Sequence, residues 1–566
     1  MSETPWVKSY PPGVHWDANL PVSTVPQLLH DAVALWADQP ALEFMGKKTN
    51  YRELQDLVDK ATKGFQLLGV KPGVHVGLFL PNTPHYVICF FAILQAGGTV
   101  VNYSPLDAEK VLAHKIDDSH TDFLVTLDMV MLYPQMAGML THTRLKKIIV
   151  GNIAEMSPYP DAVNANLQKA GQLSAIPQDA QHQLFATLID NDGRYQPIPK
   201  TDPADTIAVL QYTGGTTGLP KGAMLTHANL TTACSQIIET THVDPPILEA
   251  GKERLLAVLP LFHIYALTVD MLFGLRLGAE IVLHTRFDVD AVVKDLSAKK
   301  ITIFPGVPTM YAAIIEHPQI AEFDLSSLKF CNSGGAPLPA QILQKFQTLT
   351  CCNLLEGWGM TETSPTGTFT PSTGVRKSGS CGLPTPGISF KFESIDERGH
   401  YVAIGERGEI CVAGANIMKG YWNKPDANKD AFTADGYFRT GDVGYMDADG
   451  FVYIVDRTKD MILSGGYNVY PRNIEEAIYQ HRAVAEVSVI GIPDDYRGQA
   501  AKAFIKLKAG QSTLTFDELK DFLRDKLGKH EMPQEIEIRS ELPKTPVGKL
   551  SKKELYDEEA RRRSVH

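Results

Sequence analysis

The chain has 566 residues, too many for one hydrophobic core, so several domains are expected. Hydrophobic residues make up 44% and charged residues 21%, as in ordinary soluble globular proteins. The 54 basic and 65 acidic residues leave a net charge of −11, which excludes the basic excess of a nucleic-acid binder and offers no general attraction to anionic lipid.

The first residues, MSETPWVKSYPPGVHW, have no basic segment leading into an apolar one, so no secretory signal is expected. The most apolar run, Tyr86 to Val101, is interrupted by Gln95 and Gly97-Gly98. It predicts a buried helix running into a strand rather than a membrane span. Up to about Asp456 short β-branched runs alternate with helical patterns, the mark of α/β layers. Strands are expected at Val76–Leu80, Lys147–Val150, Ile207–Gln211, Leu255–Leu259, Ile281–His284, Ile301–Phe304 and Leu328–Cys331. Several are apolar almost throughout, as parallel strands covered on both faces should be.

After Gly387 the pattern becomes strictly alternating with Gly and Asp turns, which predicts antiparallel hairpins in a barrel-like piece. Beyond Asp456 a small α+β unit is expected, with strands Val487–Gly491 and Ala503–Leu507. There Thr515 and Glu518 form a capping box ahead of Phe516, Leu519, Phe522, Leu523 and Leu527, and Gly528 is the stop. The expected division is therefore residues 1–456 and 457–566. The run Arg561-Arg562-Arg563 is the one candidate patch for peripheral contact with an inner-membrane surface, with a solvated tail as the plainer reading. Seven cysteines without paired spacing suggest neither a disulfide framework nor a zinc site, which points to a reducing cytosol.

Residues 212–222, YTGGTTGLPKG, follow the apolar strand Ile207–Gln211 and precede a helix that Thr226 should cap. Glycines let successive backbone N–H groups converge on an anion, threonine hydroxyls add donors, and Lys221 adds charge, so the loop suits polyphosphate. A Walker loop is excluded, because Pro220 precedes the lysine and Gly222 follows it. A plain surface turn is the bland alternative.

The sequence resembles the adenylate-forming enzymes, a superfamily of acyl-CoA synthetases, luciferases and adenylation domains. The resemblance spans about residue 25 to about residue 555, with the motifs in family order. They are YTGGTTGLPKG, PLFHIY (260–265), NSGGAPL (332–338), EGWGMTET (356–363), TGD (440–442), DRTKDMILSGGYNVYP (456–471) and PKTPVGKL (543–550). The likeness is strongest to bacterial fatty-acid CoA ligases. It implies a large N-terminal domain of two α/β layered subdomains plus a β-barrel-like piece, and a small mobile α+β C-terminal domain.

The implied chemistry joins a carboxylate to the α-phosphate of ATP, with Mg²⁺ present and pyrophosphate leaving, and then passes the acyl group to CoA. By resemblance, Thr213, Gly214, Gly215, Thr216, Thr217, Gly218 and Lys221 hold phosphates. Glu362 binds Mg²⁺, Thr361 adds a phosphate donor, and Trp358 faces the adenine. Gly334, Gly335, Ala336 and Pro337 give the base room against bare backbone. Asp442 accepts from the ribose hydroxyls, and Arg457 reaches ribose and phosphate. His263 stands at the mouth of the acyl pocket, although a lone histidine in an apolar stretch is more often core. Leu267, Val307 and Ser333 are expected to set the pocket's depth. Lys549 bridges carboxylate and α-phosphate in the first step. The small domain then turns about Lys459, and Gly465 and Gly466 come to line a pantetheine tunnel. The Pro-and-Gly-presented tip would also offer Lys549 to a lysine acetyltransferase.

The resulting expectation is an AMP-forming ligase of medium- or long-chain fatty acids. Alternatives are a CoA ligase for aromatic or dicarboxylic acids, an enzyme loading a carrier protein, a degenerate nucleotide sensor and a P-loop kinase.

Overall fold

The structure is a computed structural model, and it describes residues 4–213, 220–457, 459–464, 467–494, 497–511, 513–528, 530–545 and 550–563. The described chain forms two compact units. The first holds residues 4–213, 220–389 and 413–429; the second holds 390–412 and those from 430 onward.

Two seven-stranded sheets organise the first unit. One runs Leu354–Glu356, Phe330–Ser333, Ile303–Gly306, Arg254–Ala257, Glu280–Leu283, Pro40–Phe44 and Lys47–Asn50, parallel except for the last pair. The other runs His182–Leu184, Lys147–Gly151, Thr121–Leu127, His75–Leu78, Thr99–Asn102, Ile207–Thr213 and Lys221–Thr226, again parallel except for the last pair. Strands such as His75–Leu78, Glu280–Leu283 and Ile303–Gly306 are buried along their whole length. That burial is what their continuous apolar runs require. The seven strands expected in this unit are found within two residues of their ends, whereas those expected at Val487–Gly491 and Ala503–Leu507 are longer, Val484–Asp494 and Gly498–Leu507.

The apolar run beginning at Tyr86 is a core helix, Pro84–Gln95, with every residue buried, followed by the strand Thr99–Asn102. Fully burying a side chain such as Phe90 or Phe91 contributes about 1.5–3 kcal/mol, more than the ~1–2 kcal/mol of backbone entropy that fixing the residue costs. No helix among the described residues is long and apolar enough to cross a membrane.

In the second unit, but for the end residues Ser389 and Ala413, the strands Ser389–Glu393, Gly408–Ala413, Phe438–Met446 and Val452–Arg457 form the expected alternating sheet. A further sheet holds Tyr467–Val469, Ile462–Ser464, Gly498–Leu507 and Val484–Asp494, with Glu535–Arg539 parallel to Gly498–Leu507. Its apolar core includes Ile474, Ile478, Val487, Val489, Ile505, Leu519 and Leu523. The Thr515–Glu518 capping box is present, but the helix it opens ends at Leu523, short of Leu527. Leu527 still packs on the core, from a turn held by its N–H to Leu523 O at 3.0 Å.

Candidate active site

Three neighbouring strands of the first sheet bring the motif loops together. Gly306 pairs in register with Ser333, and Ser333 with Glu356, so three strand ends lie side by side. Val307 follows the first, Gly334 the second and Gly357 the third. In open α/β sheets, ligands bind outside the carboxyl ends of the strands. Backbone bonds stitch the ends: Gly334 N–H donates to Gly306 O at 3.2 Å, and Gly357 N–H to Ser333 O at 3.3 Å.

Gly334 must be glycine here. A Cβ would stand 2.9 Å from Cζ of Tyr265, whose ring lies against this backbone. The Tyr265 hydroxyl is fixed by donation to Asn332 Oδ1 at 2.6 Å. Gly335 takes φ +81°, and both it and Pro337 are exposed, with Ala336 half-buried between them. A flat base has open backbone to lie against.

His263 is half-buried and accepts from Tyr265 N–H through Nδ1 at 3.2 Å, which makes it the N-cap of the following helix. Leu267, Val307 and Ser333 are all buried, and the Ser333 hydroxyl has no hydrogen-bond partner. Trp358 is half-buried; its N–H donates to Thr368 Oγ1 at 3.1 Å, and its ring leaves no room for a Cβ at Gly367.

Thr361 and Glu362 lie in the short helix Thr361–Thr363, where Glu362 is buried. A polar network holds this turn: Asn416 Nδ2 donates to Thr363 O at 2.7 Å and Thr366 O at 2.8 Å, and Gln236 Nε2 donates to Asn416 Oδ1 at 3.2 Å. Glu362 itself accepts from the Tyr421 hydroxyl, 2.8 Å from Oε1. The Lys221 ammonium sits over the Tyr421 ring, 5.1 Å from its centroid. Burial, and then the charge of Glu362, raise the phenol's pKa, so it stays protonated and donates.

Tyr421 reaches this place because residues 419–422 line the strand Lys221–Thr226. Lys419 N–H donates to Met224 O at 3.0 Å, Met224 N–H to Gly420 O at 2.8 Å, and Trp422 N–H to Gly222 O at 2.8 Å. Tyr421 was not expected from the sequence. A lone tyrosine in a glycine-flanked turn carries no signal until that pairing exists. At the base of the Gly/Thr stretch, Thr213 pairs with Lys221 across the last two strands of the second sheet.

This donor set fits Mg²⁺ bound together with phosphate. Mg²⁺ usually takes one or two carboxylates and fills its shell with substrate oxygens and water. Glu362 would be such a carboxylate, and no group of three or more His, Cys, Asp or Glu is arranged as a cage among the described residues.

In the second unit Asp442 and Arg457 stand opposite each other on paired strands, with Arg457 Nε 3.1 Å from Asp442 Oδ1. Asp442 is buried, while the arginine side chain is half exposed, so the pair presents an anchored carboxylate beside a reaching cation. The turn that follows is tied back: Asp460 and Met461 N–H groups both donate to Arg457 O, at 3.0 and 3.1 Å. Lys459 is exposed in that turn. Asp456 accepts from Arg457 N–H at 2.7 Å and Arg472 N–H at 2.9 Å, and burial pushes its carboxyl up to about 6. Lys552 binds Glu475 at 3.0 Å; burial lowers its pKa, but Glu475, Asp456 and Asp460 outweigh that and raise it. Gly214, Gly215, Thr216, Thr217, Gly218, Gly465, Gly466 and Lys549 lie outside the described residues.

Residues 29–422 match the AMP-binding enzyme family, and residues 473–549 match the AMP-binding enzyme C-terminal domain. The chain belongs to the AMP-binding enzymes. It is 40% identical over 561 residues to the long-chain-fatty-acid–CoA ligase of Bacillus subtilis (strain 168), covering 99% of both chains. The long-chain-fatty-acid–CoA ligase of Salmonella typhimurium is 36% identical over 577 residues, with 98% of each covered. Among solved structures, ATP-bound MatB from Rhodopseudomonas palustris superposes with a TM-score of 0.82 at 26% identity, covering 95% of this chain and 99% of that one.

Proposed function

We propose that this AMP-binding enzyme is an ATP-dependent, AMP-forming ligase that joins a medium- or long-chain fatty acid to CoA through an acyl-adenylate. The observation that carries the reading is the Lys221–Tyr421–Glu362 arrangement, where the strand Lys221–Thr226 pairs with Ile207–Thr213. It gathers an ammonium, a phenol donor and one buried carboxylate where polyphosphate chemistry needs them.

Attack of a carboxylate on ATP brings two anions together, so catalysis rests on neutralising charge and fixing geometry. Lys221 and the phosphate loop would hold the polyphosphate. Glu362, oriented by Tyr421, would hold Mg²⁺, which neutralises developing charge on the phosphates. Tyr265, wedged against Gly334, fixes the backbone over which the adenine lies. Asp442 and Arg457 would take the ribose. Lys549 would bridge the two anions and then withdraw as residues beyond the turn at 459–461 rotate, with Gly465 and Gly466 lining the path of the CoA thiol. The domain boundary near residue 456 belongs to the same proposal, supported by one sheet ending at Arg457 and the next beginning at Ile462.

Acetylation of Lys549 would remove the bridging charge and belongs with this reading. For Arg561-Arg562-Arg563 we favour a place in the fold over a membrane patch, because the run ends the helix Lys552–Arg563, Arg562 pairs with Glu537 at 2.7 Å and Arg561 donates to Asp557 O at 3.1 Å. A reducing compartment suits the seven free cysteines. The deciding experiment supplies ATP, Mg²⁺, CoA and acids of graded length, with aromatic acids and dicarboxylates included. The expected products are AMP, pyrophosphate and an acyl-CoA. Release of ADP and inorganic phosphate would overturn the reading.

A further inference from the structure

Between the strand Arg254–Ala257 and the helix that opens at Ile264, residues 258–263 run as irregular backbone. Such a segment has no ladder of its own, so its buried polar groups need partners from elsewhere. Side chains around the second sheet supply them. Asn82 Nδ2 donates to Leu259 O at 2.8 Å, and Asn82 Oδ1 accepts from Leu261 N–H at 2.8 Å. The Tyr86 hydroxyl is shared between Leu261 O at 2.8 Å and Asn102 Oδ1 at 2.9 Å. Gln211 Nε2 donates to Phe262 O at 2.8 Å, next in the chain to His263.

Gln211 is the link that reaches in both directions. Its Oε1 accepts from Asn102 Nδ2 at 2.9 Å, across the register pair Asn102–Gln211 of two parallel strands. Along its own strand it stands just before Tyr212 and Thr213, and Thr213 pairs with Lys221. Tyr212 projects to the opposite face, where its hydroxyl donates to Asp118 Oδ2 at 2.7 Å. The strand is therefore gripped from both faces where it brings Thr213 opposite Lys221. Asn82, Tyr86, Asn102 and Gln211 are each at most 5% exposed, so water does not compete for their bonds. A fully satisfied buried network of this kind is rigid. An apolar residue at position 211 would fill a buried strand without the cost of desolvating an amide.

We propose that Gln211 is a positioning residue for adenylation: through Phe262 O, its amide fixes the place of His263 relative to the strand pair that carries Thr213 and Lys221. This rests on the acyl-CoA ligase reading, in which His263 stands at the mouth of the acyl pocket and Lys221 holds phosphate. The first half-reaction needs the carboxylate in line with the α-phosphate, and a misplacement of about 1 Å can cost about 10²-fold in rate. One hydrogen-bonded link between the two holders sets that geometry. Its loss belongs in kcat for adenylation rather than in KM for ATP.

The test uses the full chain with ATP, Mg²⁺ and the fatty acid that wild type uses fastest, read by pyrophosphate release. Wild type is compared with Gln211→Met, His263→Ala and the double variant. Methionine keeps the side chain's length and loses both bonds. We expect Gln211→Met to lower kcat by about 10-fold or more, with KM for ATP within about 2-fold of wild type. Thioester formation from supplied acyl-adenylate and CoA, where carboxylate and phosphate are already joined, should fall by less. In the His263→Ala background Gln211→Met should add little, because its route to the acid is already cut. A wild-type kcat in Gln211→Met, equal damage to both half-reactions, or an undiminished further loss in the double variant would overturn the proposal. So would His263→Ala with an unchanged kcat. Should Gln211→Met not fold, Gln211→Glu keeps the acceptor for Asn102 and removes only the donor to Phe262 O, and the same comparisons decide. Failure of wild type to release pyrophosphate with any acid of a graded series would instead remove the ligase reading beneath it.

Discussion

The hydroxyl of Tyr421 lies 2.8 Å from Oε1 of Glu362, joining residues 59 positions apart at the centre of the candidate nucleotide site. The phenol donates to a carboxylate that would hold Mg²⁺, and so sets its direction. Donors behind a metal ligand typically matter by about 10–100-fold in metal affinity or activity. Tyr421→Phe should therefore raise the Mg²⁺ concentration needed for half-maximal adenylation by about that factor while leaving ATP hydrolysis products unchanged. Titrating Mg²⁺ in a pyrophosphate-release assay checks it, and a Mg²⁺ curve matching wild type would remove Tyr421 from this role.

Gly334→Ala should damage nucleotide use more than stability. The new methyl would meet the Tyr265 ring at 2.9 Å, so the ring must move and give up its bond to Asn332. Overpacking of this kind costs roughly 1–3 kcal/mol. The expected result is a raised KM for ATP with a Tm lowered by a few degrees. Replacing Tyr265 by Phe in the same background relieves the hydrogen-bond loss but not the clash, so the ATP defect should persist.

Lys549→Ala should separate the two half-reactions. Loss of one transition-state charge stabiliser typically costs about 10²–10³ in rate. Adenylate formation from ATP should fall by at least that much, whereas thioester formation from supplied acyl-adenylate and CoA should stay near wild type. Equal damage to both steps would assign the lysine a structural role.

Lys459→Pro should restrict the turn that carries any rotation after Arg457. Proline fixes φ near −65°. The same two assays should show one half-reaction kept and the other lost, and unimpaired overall turnover would move the pivot elsewhere.

Asp270→Leu should stabilise the fold, and by more as pH rises. Asp270 is fully buried, and neither carboxyl oxygen has a hydrogen-bond partner. A buried group left unsatisfied costs about 1–3 kcal/mol. Burial raises the folded-state pKa of Asp270 above its unfolded value. Its contribution is therefore most favourable below the unfolded pKa of about 4 and is lost as pH increases, because the unfolded chain alone releases the proton. The loss reaches at most about 1.4 kcal/mol per pH unit until the folded group titrates. Denaturation midpoints at pH 5 and pH 8 should differ between wild type and variant in that direction. A gap that is the same at pH 5 and pH 8 would mean that Asp270 is already ionised in the fold at pH 5.

The sequence by itself determined the layered α/β architecture, because unbroken apolar strands and 3.6-residue helical faces are local patterns that burial on both faces demands. Its motif order was enough for the family. The cap at Thr226 and the capping box at Thr515 were legible for the same reason: each satisfies its donors within three residues. What only the tertiary structure decided are the contacts between distant segments. Tyr421 means nothing until residues 419–422 pair with Lys221–Thr226, and Gly334 looks like any turn glycine until Tyr265 lies on it. Asp270 reads as an unremarkable acid in an apolar helix. Only folding removes its water and withholds a partner, and a side chain's desolvation is a property of everything packed around it rather than of its neighbours in the chain.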